Sequence, residues 1–180
     1  MNSLPRPVSV AILIASAAAA LAGAGAASAA PAARTAALSL RNPPLLGGSG
    51  DLAALAPPAV KTPGADPIAL AVSPDGRSVY VGFETNRSVA WYRRDPASGV
   101  LTPKGAIATA GEPRAIAISR DGTSLYVANF HGASVSEYKR DTRSGSLTAL
   151  SPAAIPVAGS AHGIVVSPDG KTVYVADYGA

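Results

Sequence analysis

The chain has no cysteine in 180 residues, so neither a disulfide nor a thiolate metal site contributes to its stability or chemistry. It has only two histidines, His131 and His162, and they lie too far apart for a His-x-x-x-His metal motif. Neither a Gly-x-Ser-x-Gly nucleophile turn nor a phosphate-binding loop occurs. Charge is sparse, with 15 Lys plus Arg against 11 Asp plus Glu. That balance is too weak and too scattered for nucleic acid, which needs a basic patch or stripe. The two basic pairs, Arg93-Arg94 and Lys139-Arg140, recur at matching places and read as solvated strand ends. No cofactor is implied.

Long apolar runs are also missing, with one short exception. Residues 8–21 are apolar and follow Arg6, and Ala27-Ser28-Ala29 supplies small residues where a signal peptidase reads. The run falls short of the ~20 residues that a bilayer core requires. Residues 1–29 therefore read as a cleavable export signal, with secretion to the cell envelope or beyond and no membrane span after cleavage. No cysteine follows the run, which excludes a lipid-modified amino terminus. Residues 30–49, rich in Ala, Pro and Gly, read as a spacer.

What the chain has instead is a repeat. Residues 67–102 align without a gap on residues 113–148, an offset of 46, with 18 identities in 36 positions. A period in the forties, built of short β-type runs and turn residues, signals four-stranded propeller blades. The expected fold is all-β: a β-propeller of four-stranded antiparallel blades over residues 50–180, about two and a half blades in an incomplete ring. The full units span about 64–110 and 111–158, and a third begins at 159. Gly50-Asp51-Leu52-Ala53-Ala54-Leu55 resembles Gly145-Ser146-Leu147-Thr148-Ala149-Leu150 and reads as the tail of an earlier unit.

Each unit opens on an apolar inner strand (68–72, 115–118, 164–166) in which small alanines fit the crowded axis. The turns Ser73-Pro74-Asp75-Gly76, Ser119-Arg120-Asp121-Gly122 and Ser167-Pro168-Asp169-Gly170 follow. Second strands are expected over 78–82, 124–129 and 172–177, and third strands over 88–94 and 134–140. A Gly-x-Leu-Thr segment (Gly99, Gly145) begins the outermost strand. Polarity rises from first strand to fourth, as expected if the inner strand is buried and the outer one wet. Two full units cannot close around an axis, so further blades or other copies are needed to complete a ring, and the sequence reads as a fragment of a longer frame.

The Ser-Pro-Asp-Gly turns, Tyr126-Val127-Ala128-Asn129, Tyr174-Val175-Ala176-Asp177 and the Gly-x-Leu-Thr segments resemble the Tyr-Val-Thr-Asn repeat propellers and the related seven-bladed lactonase family, similar to bacterial 6-phosphogluconolactonase. The resemblance covers residues 50–180. Its members bind ligands or hydrolyse lactones.

Propellers place function at one end of the ring, where loops cluster around the channel. Those loops hold Asp66, Glu112, Arg114 and His162 before inner strands, and Glu84, Asn129, His131 and Asp177 after second strands. Together these groups can bind a polar ring or activate water. The main reading is an exported module that binds a small polar ligand or protein, or serves as a scaffold, and does no chemistry. The alternative, implied by the resemblance, is a lactonase-like hydrolase acting on a sugar lactone. In it His162 or His131 serves as base and Arg114 stabilises the oxyanion.

Overall fold

A shared set of bonds builds each Ser-x-Asp-Gly turn. The Ser73 hydroxyl donates to Asp75 Oδ1 and accepts from the Ser78 N–H at 2.9 Å, and the Gly76 N–H donates to the Ser73 carbonyl at 2.8 Å. Ser119 and Ser167 repeat this pattern. With the turn pre-closed by side chains, the flanking β-rich runs have one register in which to pair.

The computed structural model describes residues 9–14, 62, 64 and 66–179. These residues form β1 Ser9–Ile14, β2 Pro67–Val72, β3 Ser78–Phe83, β4 Ser88–Arg94, β5 Leu101–Ala108, β6 Pro113–Ile118, β7 Ser124–Asn129, β8 Ser134–Arg140, β9 Leu147–Pro156, β10 Ser160–Val166 and β11 Thr172–Tyr178. No helix occurs among them. Strands β2-β3-β4-β5 and β6-β7-β8-β9 make two antiparallel meanders. In the third sheet β10 pairs antiparallel with β11, and β1 lies parallel along the other edge of β11. Thus six residues of the apolar amino-terminal run sit where a third blade strand would go. The spacer at 30–49 and the earlier blade tail at 50–55 lie outside the described residues.

The inner strands β2, β6 and β10 lie side by side, and the sheets stack face to face between them. One core, between the first two sheets, buries Tyr80 and Val89 against Leu125, Val127, Tyr138 and Leu147. Another, between the second and third, buries Tyr126, Ala128 and Val135 against Ala161, Ile164, Val173 and Val175. The most buried strand is the second of each sheet, not the inner one: every residue of β3 is buried, while Ile68, Leu70 and Val72 of β2 are exposed. Strand β7 has a neighbouring sheet on each face; in β3, Tyr80 packs against the second sheet while Val79, Val81 and Phe83 pack with Ala90, Tyr92 and Leu101 of their own sheet. Val165, Tyr174 and Tyr178 are likewise exposed on the far face of the third sheet. Outer strands β5 and β9 are mostly exposed, as the polarity gradient predicts.

Polar contacts lock the first two sheets together. The Tyr80 hydroxyl donates to the Gly145 carbonyl at 2.7 Å and accepts from Arg140 Nε at 2.5 Å. The same guanidinium donates to the Gly122 carbonyl at 2.9 Å and to Ser78 Oγ at 3.2 Å, and meets Asp75 Oδ2 at 3.4 Å. In return Tyr138 donates to the Ala108 carbonyl at 2.7 Å. Arg140 is 2% exposed, which corrects the expectation that both basic pairs are solvated. Lys139 does face water, but alternation on β8 turns Arg140 the other way, into the sheet interface.

Gly145 sits in this interface at φ +78°, and a Cβ added there would lie 2.5 Å from Ser78 Oγ and 3.3 Å from the Tyr80 hydroxyl oxygen. Gly145→Ala is therefore expected to cost about 2–3 kcal/mol, from left-handed strain and overpacking together. Urea unfolding checks this, and a loss below about 0.5 kcal/mol would contradict the close approach.

The turn carboxylates also set an acid limit. Partial burial works against ionisation of Asp75, but the Ser73 hydroxyl, the Arg77 N–H and Arg140 outweigh it and hold its pKa below the ordinary 3.8. The Ser119 hydroxyl and Thr123 N–H lower Asp121, and Ser167 and the Lys171 N–H lower Asp169. Backbone and hydroxyl of Ser98 and Ser144 do the same for Asp95 and Asp141. A depressed native pKa stabilises the fold above the unfolded value, and that stability is lost as pH falls through the native one. Burial raises Glu137, a single opposing contribution. The urea midpoint is thus expected to hold steady from neutral pH to about 4 and to fall below it. An unchanged midpoint at pH 3 would refute this.

Candidate functional site

Register shifts at the start of each inner strand build the site. Pro67 pairs with Phe83 and Ala69 with Gly82, which leaves Ile68 as an extra residue; Arg114 and His162 are the extra residues of β6 and β10. A β-bulge re-aims the side chain it carries and is common beside active sites. Three consecutive blades therefore present Ile68, Arg114 and His162 from the same place, at the end of the sheets away from the Ser-x-Asp-Gly turns.

The connections from second to third strands, 84–87 and 130–133, meet these bulges. Phe130 is the hub. The Arg114 guanidinium lies 5.0 Å from its ring centroid, a cation–π contact. His131 and His162 approach edge-on at 4.5 and 5.3 Å, and His162 also lies 6.5 Å from Tyr178. Arg114 Nη1 is 3.6 Å from Glu84 Oε2. Glu112 faces two groups: His131 Nε2 is 3.5 Å from its Oε2, and Arg87 Nη2 is 3.5 Å from its Oε1. His131 and Arg87 are exposed while Glu112 is mostly covered, so the carboxylate is the fixed member and orients the imidazole.

Backbone contacts hold the loops in place. The Phe130 N–H donates to the Glu112 carbonyl at 2.8 Å, and the Glu84 N–H to the Asp66 carbonyl at 3.1 Å. Gly111 and Gly132 touch: a Cβ on Gly111 would fall 2.7 Å from the Gly132 Cα, so only glycine permits this approach. Asp66 and Arg87 are non-glycine residues at φ 55° and 45°. Such strain persists only where surrounding contacts over-determine it, and it gathers at functional sites.

Of the eight residues singled out from sequence, five converge: Glu84, Glu112, Arg114, His131 and His162. Asp66 stands apart, accepting from Thr85 Oγ1 at 2.8 Å. Asn129 and Asp177 are buried beneath the loops. The Asn129 amide donates to Ser134 and Ser136 hydroxyls, and Asp177 Oδ2 accepts from the Gly159 N–H at 2.7 Å. These two residues hold the loops; each has one buried oxygen with no hydrogen bond in the structure. Phe130, Arg87 and Tyr178 were not anticipated. The repeat held a signal for two of them, since Glu84, Phe130 and Tyr178 occupy one repeat position, four residues after Tyr80, Tyr126 and Tyr174. Among the described residues no group of three or more His, Asp or Glu is placed to hold a metal ion.

The chain resembles several solved propellers. A 6-phosphogluconolactonase candidate from Bacteroides fragilis is 28% identical with a TM-score of 0.62, over 69% of this chain and 35% of that one. The periplasmic gluconolactonase of Pseudomonas aeruginosa is 30% identical with a TM-score of 0.54, over 63% and 32%. Hydrazine synthase of Kuenenia stuttgartiensis is 32% identical with a TM-score of 0.53, over 66% and 31%. This chain spans about a third of the length of these structures. No curated protein matches the sequence. A family model described as lactonase, 7-bladed β-propeller, matches residues 51–160, more than half of the chain. With its antiparallel four-stranded sheets, its blade-like repeat and this match, the chain belongs to the seven-bladed β-propeller lactonase family.

Proposed function

We propose that the protein hydrolyses a sugar lactone at the loop end, with His131 as general base. The observation that carries this reading is the Glu112–His131 pair beside Arg114. A carboxylate-oriented imidazole and a guanidinium are the two groups that hydrolysis of an ester ring needs. His131 accepts a proton from water as the water oxygen attacks the lactone carbonyl carbon. Arg114 stabilises the negative charge that develops on the carbonyl oxygen. Collapse of the tetrahedral intermediate breaks the bond from the carbonyl carbon to the ring oxygen, which takes up the proton, and an open hydroxy acid leaves. His162 has ring contacts with Phe130 and Tyr178 and no ion pair among the described residues, so it packs the site and is not assigned as the base.

Family membership and the gluconolactonase neighbour favour this reading over a module that only binds. The test is lactone opening followed by proton release, against the spontaneous rate, on a panel of aldonolactones. Acceleration that saturates with substrate supports a hydrolase, and no acceleration on any member of the panel rules it out.

We further propose export through residues 1–29, supported by the apolar run at 8–21 and Ala27-Ser28-Ala29. Mass spectrometry of the mature protein is expected to show a start at Ala30. Removal of the leader takes β1 from the edge of β11; a mature protein that retains Met1 would refute cleavage.

A further inference from the structure

Resting on the hydrolase reading, we infer that the site takes an uncharged lactone ring and discriminates against one bearing a phosphate. Recognition of a phosphate calls for cations whose charge is free for it, commonly an arginine fork. Among the described residues, both guanidiniums at this end face carboxylates instead: Arg114 faces Glu84, and Arg87 faces Glu112. Among the described residues the loop end holds four carboxylates, Asp66, Glu84, Glu112 and Asp177, against these two cations, a formal balance of −2. Other cations, such as Arg77, Arg120, Arg143 and Lys171, gather around the turns at the opposite end. A phosphorylated substrate is thus repelled on approach, whereas a neutral ring is not.

The surfaces on offer suit a neutral ring as well. Phe130 is half-buried beneath Arg114, and Ile68, the bulge residue of the first inner strand, is 40% exposed. An exposed apolar side chain such as Ile68 suits the C–H surface of a neutral sugar ring, while Glu84 and Glu112 can accept from sugar hydroxyls. A single carboxylate, Glu84, lies between the site and a free Arg114. This makes the specificity adjustable at one position.

The experiment compares D-glucono-1,5-lactone with its 6-phosphate as substrates, and 1,5-anhydroglucitol with its 6-phosphate as non-hydrolysable ligands, by calorimetry. The neutral member of each pair is expected to be favoured at least tenfold, in kcat/KM and in affinity. Glu84→Gln is expected to shift that ratio about tenfold toward the phosphorylated member, a change that mere loss of packing would not produce. Preference for the phosphorylated members overturns the inference and leaves the hydrolase reading standing. Tenfold preference for anhydroglucitol with no lactone turnover does the reverse. If neither ligand binds, both fall.

Discussion

Tyr80→Ala is expected to destabilise the protein by about 3–5 kcal/mol, the range for truncating a fully buried aromatic side chain. Tyr80 is 0% exposed and packs with Leu125, Val127 and Tyr138 of the neighbouring sheet. Its hydroxyl both donates to the Gly145 carbonyl and accepts from Arg140, so the truncation opens a cavity and leaves polar groups unpaired. For a chain of this size, that loss lowers Tm by roughly 10 °C. Arg140→Ala is expected to cost less, about 2–3 kcal/mol: it orphans the Gly122 carbonyl, but Asp75 keeps its Ser73 and Arg77 bonds. A double-mutant cycle between Tyr80→Phe and Arg140→Met isolates their coupling, expected at about 1–2 kcal/mol because the bond is charge-assisted and buried. Additivity within about 0.3 kcal/mol would show that the contact contributes packing alone.

His131→Ala is expected to lower kcat for lactone opening about 10²–10⁴-fold, the usual contribution of a positioned general base. KM should change little, because the imidazole acts on water and not on the ring. Glu112→Gln keeps the shape of the orienting side chain but removes its charge, and a smaller loss of about tenfold is expected. Equal turnover by His131→Ala and the unaltered protein would remove His131 from the mechanism and turn attention to His162.

The 46-residue repeat makes the number and order of strands β2 to β11 legible in the sequence, but not β1, which lies outside it. Third strands fall where the residue pattern puts them, at Ser88–Arg94 and Ser134–Arg140. Outer strands begin later than expected, at Leu101 and Leu147, because Gly99 and Gly145 adopt positive φ and belong to the preceding turn. Three features stay hidden in the sequence, each for a physical reason. The burial of Arg140 depends on which face of β8 meets a neighbour, and composition codes Lys139-Arg140 as one basic pair. The bulges that single out Arg114 and His162 arise from pairing between distant segments, so no local pattern marks them. Phe130 reads as an ordinary residue after a strand; only the docking of three loops on its ring makes it the centre of the site.

The Tyr80–Arg140 contact also bears on how such a chain grows. Each full unit carries both halves: a tyrosine for the next blade (Tyr80, Tyr126) and an arginine at the end of its third strand (Arg94, Arg140). Arg94 donates to the Gly76 carbonyl at 3.1 Å, just as Arg140 donates to that of Gly122, so it is already posed for a tyrosine on the preceding side. A gene segment encoding one such unit brings its own connectors, and tandem duplication joins copies head to tail without inventing a new interface. The loops at the far end lie outside this tyrosine–arginine contact and differ in sequence from unit to unit. Ile68, Arg114 and His162, three different side chains at one repeated position, show that difference.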